Sequence, residues 1–421
     1  MKNHFLLVIM LLAINSNVFS QSQRNRCGTY ERVSHKLKEN PNFLSDRLDM
    51  ETATQKWIST HAQQRSSSIL TIPVVIHVVY RTNAENISDA QVQSQLDVLN
   101  ADYRRLNVDT SKTPKEFRAL AVDCQIQFCL AKQDPSGKAT NGITRKQTST
   151  NNIGSTTKYY SSVNGGEDIW NPNAYMNIWV CNIDGGNTLG FAYLPGTTGT
   201  LDDGLVIDYR FFGTIGMNPP YHLGRTVTHE VGHYLNLEHI WGDDNGACTG
   251  TDYVADTPNQ GAENYGCPKF PITNDPCTPA FPGIMFMNYM DYTDDSCMNM
   301  FTKGQKQRMV GALNGPRISL QASKACQIPA SVMERIAGVS AIYPNPSNGI
   351  FNFELQSSAQ GDCLMEVFNL MGKLILQKKV FISADQIKFD LSDQASGIYF
   401  LKVKIKDRME MHKLIVDHSK N

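Results

Sequence analysis

The chain has 421 residues, and its 39 Lys and Arg against 40 Asp and Glu leave a net charge of −1. That balance, with no lysine- or arginine-rich run, leaves no electrostatic footprint for nucleic acid or for an anionic membrane surface. A hydrophobic share of 41% supports a sizeable core, and the length suits roughly two to four domains.

Residues 1–20 read as a secretory signal peptide. Lys2 gives a positive start, Phe5 to Ile14 an apolar stretch, and Val18-Phe19-Ser20 a cleavage site before Gln21. That stretch is too short to cross a bilayer, and no later one reaches about eighteen residues, so no transmembrane segment is expected. Export makes the ten cysteines readable as disulfide candidates. Next come Arg26-Cys27-Gly28-Thr29 and a helical, charged stretch to about Gln64. A lone early cysteine can be a spare thiol, half of a disulfide, or a thiolate that blocks a metal and keeps an enzyme latent. Arg26 beside Cys27 favours the thiolate, and Gly28 lets the backbone pass close to an ion. The polar stretch Gln63 to Ser68 suits proteolytic nicking.

Leu70 to Tyr80 is an apolar, β-branched run and predicts a buried strand. Ser88 caps a helix with Val92, Leu96, Leu99, Tyr103 and Leu106 on one face. Gln125 to Ala131 and Ala174 to Ile183 read as further strands, with Cys124, Cys129 and Cys181 as buried core thiols. Leu189 to Leu194, stopped by Pro195, fits a sheet edge above a cleft, and Leu205 to Tyr209 is the next strand. Strands alternating with helices predict an α/β (α+β) domain around a twisted mixed sheet.

Thr226 opens a helix carrying His229-Glu230-Val231-Gly232-His233. His229 and His233 lie one turn apart on one face, a spacing at which two neutral imidazoles can grip one zinc ion. Glu230, beside His229, can take a proton from an attacking water instead of binding the ion. An unbroken helix would carry His239 roughly 15 Å further along the axis. His239 can join the other two only if the helix stops near Asn236, a residue type that tolerates the left-handed turn this requires. His222, just upstream, has no ligand spacing and reads as a surface or core histidine.

Cys248, Cys267, Cys277 and Cys297 follow in a segment rich in Gly, Pro, Asn and Asp that has little core of its own. Cross-links there would lower its unfolded-state entropy, and the sequence leaves three pairings open. Asp252, Asp256 and Thr257 crowd one short loop, either a calcium site or a solvated acidic turn. Met290, in Asn288-Tyr289-Met290-Asp291-Tyr292, is either plain core packing or the floor of the metal site. Gln305 to Leu313 predicts a closing helix, and Gln327 to Ala337 a linker. From Ser340 the texture changes to short strands at Ile350–Leu355, Leu364–Phe368, Lys373–Leu376, Ile387–Leu391, Ile398–Ile405 and Lys413–Val416, a small all-β sandwich without a catalytic constellation.

The three-histidine motif and the Met290 turn resemble those of the pappalysin family of metzincin zinc metallopeptidases, from roughly Arg26 to Arg317. Metzincins place Gly where Asn236 stands, a mild departure, since a positive φ is what the turn requires. The resemblance implies a zinc-binding active-site helix with His229, His233 and His239 as ligands, and Glu230 as general base and then general acid. It implies Tyr292 as oxyanion support and Met290 as the structural Met of the family's turn. Arg26-Cys27-Gly28-Thr29 is similar to the family's cysteine switch, which implies that Cys27 binds zinc in the latent form. The resemblance further implies Cys248–Cys277 and Cys267–Cys297 bridges, a structural calcium at Asp252, Asp256 and Thr257, and Asp295 at the floor of the S1′ pocket. Asp295 in that position would direct cleavage before Arg or Lys and make Gln64–Arg65 an activation bond. The terminal eighty or so residues, with Tyr343-Pro344-Asn345-Pro346 and Gly397-Ile398-Tyr399, resemble a type IX secretion sorting domain, which implies the type IX secretion machinery as a partner.

The expectation is a secreted or cell-surface, zinc-dependent endopeptidase acting on proteins or peptides and made as a latent zymogen. Its parts would be a signal peptide (1–20), an inhibitory propeptide (21–64), a catalytic domain (65–328) and a sorting domain (340–421). The rival readings are an inactive zinc-bearing surface adhesion protein and a surface-anchored structural protein that binds partners or glycans through its terminal β-domain.

Overall fold

The structure is a computed structural model that describes residues 24–61, 68–196, 200–329, 339–355, 361–382, 386–405 and 408–419. The expected signal peptide and the Gln64–Arg65 bond lie outside the described residues. The chain divides into two compact units, Met1–Pro329 and Ala330–Asn421.

In the first unit β1 (Leu70–Tyr80) is the spine of a six-stranded sheet. It is buried on both faces, which is why its sequence is mostly apolar with no alternation, His77 being the buried polar exception. β2 (Ile126–Leu130) pairs with its first half and β3 (Ile143–Gln147) with its second, both parallel. On the other side follow β4 (Met176–Cys181), β6 (Gly204–Asp208) and β5 (Gly190–Ala192). Only β5 runs antiparallel, and it forms the sheet edge expected there. β3 is missing from the sequence reading because Ile143–Gln147 carries two cations and one apolar residue, and it is held by β1, not by burial.

Helix α3 (Asp89–Tyr103) is capped by Ser88, whose hydroxyl accepts from Gln91 N. Leu106 does not continue its apolar face. The helix ends at Tyr103, Arg105 turns to a φ of 50°, and Leu106 is 71% exposed. α3 and α4 (Arg225–Tyr234) share one core with the sheet through Val92, Leu96, Leu99, Ile76, Ile178 and Val231. α5 (Lys303–Asn314) begins with a capping box between Thr302 and Gln305.

The cysteine pairing is partly as expected. Cys248–Cys277 and Cys267–Cys297 are disulfides, and Cys124 and Cys181 are buried thiols. Cys129 is not a free core thiol: it is bonded to Cys326, 197 residues away, and so ties β2 to the end of the unit. Backbone bonds from Lys132 and Gln133 N–H to the Ala325 carbonyl run alongside that bridge.

Two helices precede β1: α1 (Thr29–Glu39) and α2 (Phe43–His61). The second unit consists of two antiparallel sheets. One is ordered β10 (Leu374–Ile382), β9 (Gly361–Asn369), β12 (Gly397–Ile405), β13 (Arg408–Val416). The other is ordered β11 (Gln386–Asp390), β8 (Ile350–Leu355), β7 (Val339–Tyr343). Their inner faces bury Phe351, Phe353, Val367, Phe389, Leu401 and Leu414, the alternation that marked the strands in the sequence.

Candidate metal centre and cleft

The residues of α4 are buried from end to end, so its histidines project into protein and not solvent. The helix stops at Tyr234, and Asn236 adopts a φ of 71°, the left-handed turn that the third histidine needs. The chain then returns. His229, His233 and His239 bring their Nε2 atoms to 3.1 Å, 3.1 Å and 3.3 Å of one another.

Each ring is oriented from behind. His229 Nδ1–H donates to the Tyr289 carbonyl at 2.7 Å, His233 Nδ1–H to the Leu237 carbonyl at 2.8 Å, and His239 Nδ1–H to Asp243 Oδ1 at 2.9 Å. With the proton fixed on Nδ1, all three Nε2 lone pairs face one point. Burial, then the neighbouring imidazoles, push the pKa of His229 far down, and burial does the same to His233, so both rings stay neutral. Cys27 Sγ completes a group whose ligand atoms all lie within 4.8 Å of one another, the only such His/Cys/Asp/Glu group among the described residues. Three converging lone pairs repel unless a cation lies between them, and an N₃S donor set in a closed, tetrahedral-sized space suits zinc.

Met290 packs against α4, the helix that carries His229 and His233. A Cβ at Gly232 would stand 2.4 Å from Met290 Sδ, so glycine at that helix position makes room for the thioether. The turn is held by Asn288, whose Oδ1 accepts from Met290 N and from Gln305 Nε2. It is also held by buried Asp291, which accepts from Asn264 N, Asn264 Nδ2, Gln260 Nε2 and Tyr292 N.

Segment 24–61 lies in the cleft. Asn25 bridges to Thr188 in parallel sense, and Gly28 N donates to the Gly190 carbonyl at 2.8 Å. A Cβ at Gly28 would meet Thr188 Cγ2 at 3.2 Å, a tight contact that the bare glycine backbone avoids. Cys27 Sγ donates to Glu230 Oε2 at 3.4 Å, and Thr29 Oγ1 donates to the same oxygen at 3.1 Å while accepting from Ala192 N at 3.0 Å. Burial raises the Glu230 pKa to about 8, while Glu230 Oε1 has no partner. Burial, then the Glu230 charge, also raises the Cys27 thiol well above its ordinary value; a cation in the centre reverses that sign, because a coordinating thiol is deprotonated. Tyr292 is buried beside His229 and His239, and its hydroxyl donates to the Cys27 carbonyl at 3.4 Å.

Arg26 is the residue the sequence reading undervalued. It is fully buried, with Nη2 3.1 Å from Asp295 Oδ1 and its guanidinium 4.8 Å from the centre of the Tyr221 ring. Asp295 Oδ2 separately accepts from Leu223 N and Arg225 N. Asp295 therefore holds its position whether or not Arg26 is there. Downstream, Arg47 of α2 reaches Glu238, and Arg308 of α5 pairs with Glu51. These pairs span more than a hundred residues of sequence, so no local pattern marks them.

The acidic loop is not gathered on one point. Asp252 accepts from Thr257 Oγ1 and Val254 N, while Asp256 caps the start of α5 by accepting from Thr302 Oγ1 and Gly304 N. This arrangement lends the expected calcium no support. His222, as expected, stands apart from the metal group.

Residues 160–314 match the Peptidase M43 family, described as Pregnancy-associated plasma protein-A, and residues 341–417 match the secretion system C-terminal sorting domain. An extracellular metalloprotease of Arthroderma otae is 32% identical over 253 residues, covering 58% of this chain and 77% of that protein. Promirolysin of Tannerella forsythia, solved as a single-site variant, is 47% identical with a TM-score of 0.64, covering 70% of this chain and 97% of that one. Mature mirolysin of the same organism, solved with a cleaved peptide, is 53% identical with a TM-score of 0.58, covering 61% and 96%.

Proposed function

The chain belongs to the Peptidase M43 family, the pappalysins, and from that membership we propose how this secreted zinc metalloendopeptidase works, what it prefers and how it is kept latent. The reading of an inert adhesion protein draws no support from relatives that are named extracellular metalloproteases. His229, His233 and His239 would hold the zinc ion, which when bound supplies Lewis acidity toward a carbonyl and toward an attacking water.

The rest of the chemistry falls to the chain. Glu230 Oε1, without a partner in the latent form, accepts the proton of the attacking water. It takes that proton and returns it to the leaving amine nitrogen. The Tyr292 hydroxyl, which donates to a carbonyl of the inhibitory segment, donates to the substrate carbonyl oxygen as negative charge builds on it. The rings of Trp241 and Tyr265 pack against Tyr292 and hold it in place.

Residues 21–64 are the inhibitory propeptide, 65–328 the catalytic domain and 340–421 the sorting domain that the type IX secretion machinery would read. Cys27 takes the last position of the metal centre, and Arg26 fills the S1′ pocket. That single observation, a buried guanidinium on Asp295, carries the specificity proposal: the enzyme cleaves before Arg, and before Lys less well, since only Arg combines the charge with a planar face for Tyr221. The test reads new N-termini by mass spectrometry after zinc-loaded, processed enzyme has digested an unfolded protein, with a chelated control. Termini beginning with Arg or Lys and lost on chelation are expected. Chelator-sensitive cleavage without that bias rejects the Asp295 assignment, and cleavage that survives chelation rejects the mechanism.

A further inference from the structure

Arg26 is not the only guanidinium that the inhibitory segment seats in the cleft. Arg47 Nη1 donates to the Pro195 carbonyl at 2.6 Å and to Asn236 Oδ1 at 3.0 Å, and Nη2 donates to Glu238 Oε1 at 2.6 Å. The acceptors are a carboxylate, an amide oxygen and a backbone carbonyl, all from the catalytic unit. The Arg47 and Glu238 side chains are 13% and 7% exposed, so these charge-assisted bonds form with little water around them. Gly196, at a φ of 123°, leaves the space: a Cβ there would stand 3.0 Å from Arg47 Cδ.

The position of this cradle along the edge strand gives it meaning. Asn25 pairs with Thr188, Gly28 with Gly190, Thr29 with Ala192 and Arg47 with Pro195, in order along one rim. Asp295 lies at the Arg26 end, the histidines in the middle and the cradle at the opposite end. Tyr30 sets the scale. Its ring stacks on His239 with centroids 5.4 Å apart, and its hydroxyl donates to Glu238 Oε2 at 3.1 Å. Glu238 is thus one aromatic ring away from the metal centre.

Resting on the reading above, in which Asp295 receives the residue after the scissile bond, we infer that Glu238, Asn236 and the Pro195 carbonyl form a second guanidinium subsite on the acyl side. It takes an arginine of the substrate, and Arg47 occupies it in the precursor. The cradle's backbone belongs to the catalytic unit: the Pro195 carbonyl follows β5, and Asn236 is set at a φ of 71° in the turn between His233 and His239. Once Arg47 leaves, Glu238 has no cation of the catalytic unit bonded to it among the described residues, so a neutral substrate side chain leaves its charge uncompensated. The spread of acceptors over two guanidinium nitrogens favours Arg over Lys.

The test uses the full chain after processing, zinc-loaded, and paired peptides that share Arg after the scissile bond. Each pair carries Arg or citrulline at one acyl-side position, stepped outward from the bond. At one position the wild type favours Arg by about tenfold in kcat/KM, the worth of a charge-assisted hydrogen bond. In Glu238→Gln that ratio falls to about one, while the preference for Arg after the bond persists. A ratio near one at every position in the wild type, or a ratio that survives in Glu238→Gln, overturns the subsite. Fluorescence anisotropy of the same labelled peptides under chelator reads the cradle without turnover. Arg-over-citrulline binding that depends on Glu238, together with no chelator-sensitive cleavage, would sink the peptidase reading and leave the cradle standing. Cleavage without either ratio would do the opposite.

Discussion

Arg26→Ala asks whether the precursor is held shut by the same charge recognition proposed for substrates. The Arg26 and Asp295 side chains are both fully buried and 3.1 Å apart. Removing one partner of a buried pair costs about 3–5 kcal/mol, because the other charge is left unpaired. The structure argues for the low end of that range. Asp295 Oδ2 keeps the N–H groups of Leu223 and Arg225, and Arg26 already leaves Nε and Nη1 without a protein partner. A loss of about 3 kcal/mol, at about 1.4 kcal/mol per tenfold, raises the ratio of open to closed precursor by about two orders of magnitude. The assay is the initial slope of hydrolysis of an internally quenched peptide by zinc-loaded precursor, read before self-processing, with Cys27→Ala as the positive control. Arg26→Ala should raise that slope by about a hundredfold and Arg26→Lys by much less, since the charge remains. A slope within about twofold of wild type, beside a raised slope for Cys27→Ala, refutes the reasoning. Latency would then rest on the thiol alone.

Glu230→Ala should bind zinc at wild-type stoichiometry, measured by atomic emission, because its carboxylate is not one of the clustered ligand atoms. Its peptide hydrolysis should fall to background, and turnover comparable to wild type would remove Glu230 from the mechanism. His77 is fully buried, and its Nε2–H donates to Asn177 Oδ1 while Nδ1 accepts from the Thr144 hydroxyl, an arrangement that admits only the neutral ring. Burial pushes its pKa down to about 4, so the unfolded chain binds this proton first. The stability it contributes is complete above about pH 6.5 and is lost as pH falls toward 4, by about 3 kcal/mol. Denaturant midpoints of wild type and His77→Gln, both under chelator, should therefore converge on acidification; parallel curves would contradict the assignment. Replacing Cys129 and Cys326 by Ser should lower stability by about 5 kcal/mol, as expected for a closed loop of 197 residues. Neither cysteine belongs to the metal group, so zinc binding by the folded protein should persist, and an unchanged denaturant midpoint would show that the bridge constrains nothing.

What the sequence made legible was what repeats or what is spaced locally. His229 and His233 are one turn apart on one helix, β1 is a mostly apolar, β-branched run, and the strands of the second unit alternate, so each declares itself within a dozen residues or fewer. The residues that close the cleft do not. Arg26 meets Asp295 across 269 residues, Thr29 meets Glu230 across 201 and Arg47 meets Glu238 across 191. No periodicity links such pairs, and a surface arginine and a buried one look the same in a string of letters. The role of Asp256 was open for a related reason: an acidic residue in a crowded loop is as good a helix cap as a calcium ligand, and the cap on α5 shows only when the loop meets that helix.

Asn236 joins the two kinds of information. Its turn was readable, because Asn tolerates the left-handed region that brings His239 back. Glycine would make the same turn with less strain, so backbone geometry alone gives no reason for a side chain there. The structure supplies one. Asn236 Oδ1 accepts from Arg47, its Nδ2 donates to Thr54 Oγ1 at 3.3 Å, and its carbonyl accepts from Arg308, which also pairs with Glu51. Three contacts from this corner of the metal loop therefore run to α2 or to its ion partner on α5. The residue whose backbone folds the third histidine into place is also one whose side chain the segment 24–61 grips, so ligand geometry and latency meet at a single residue.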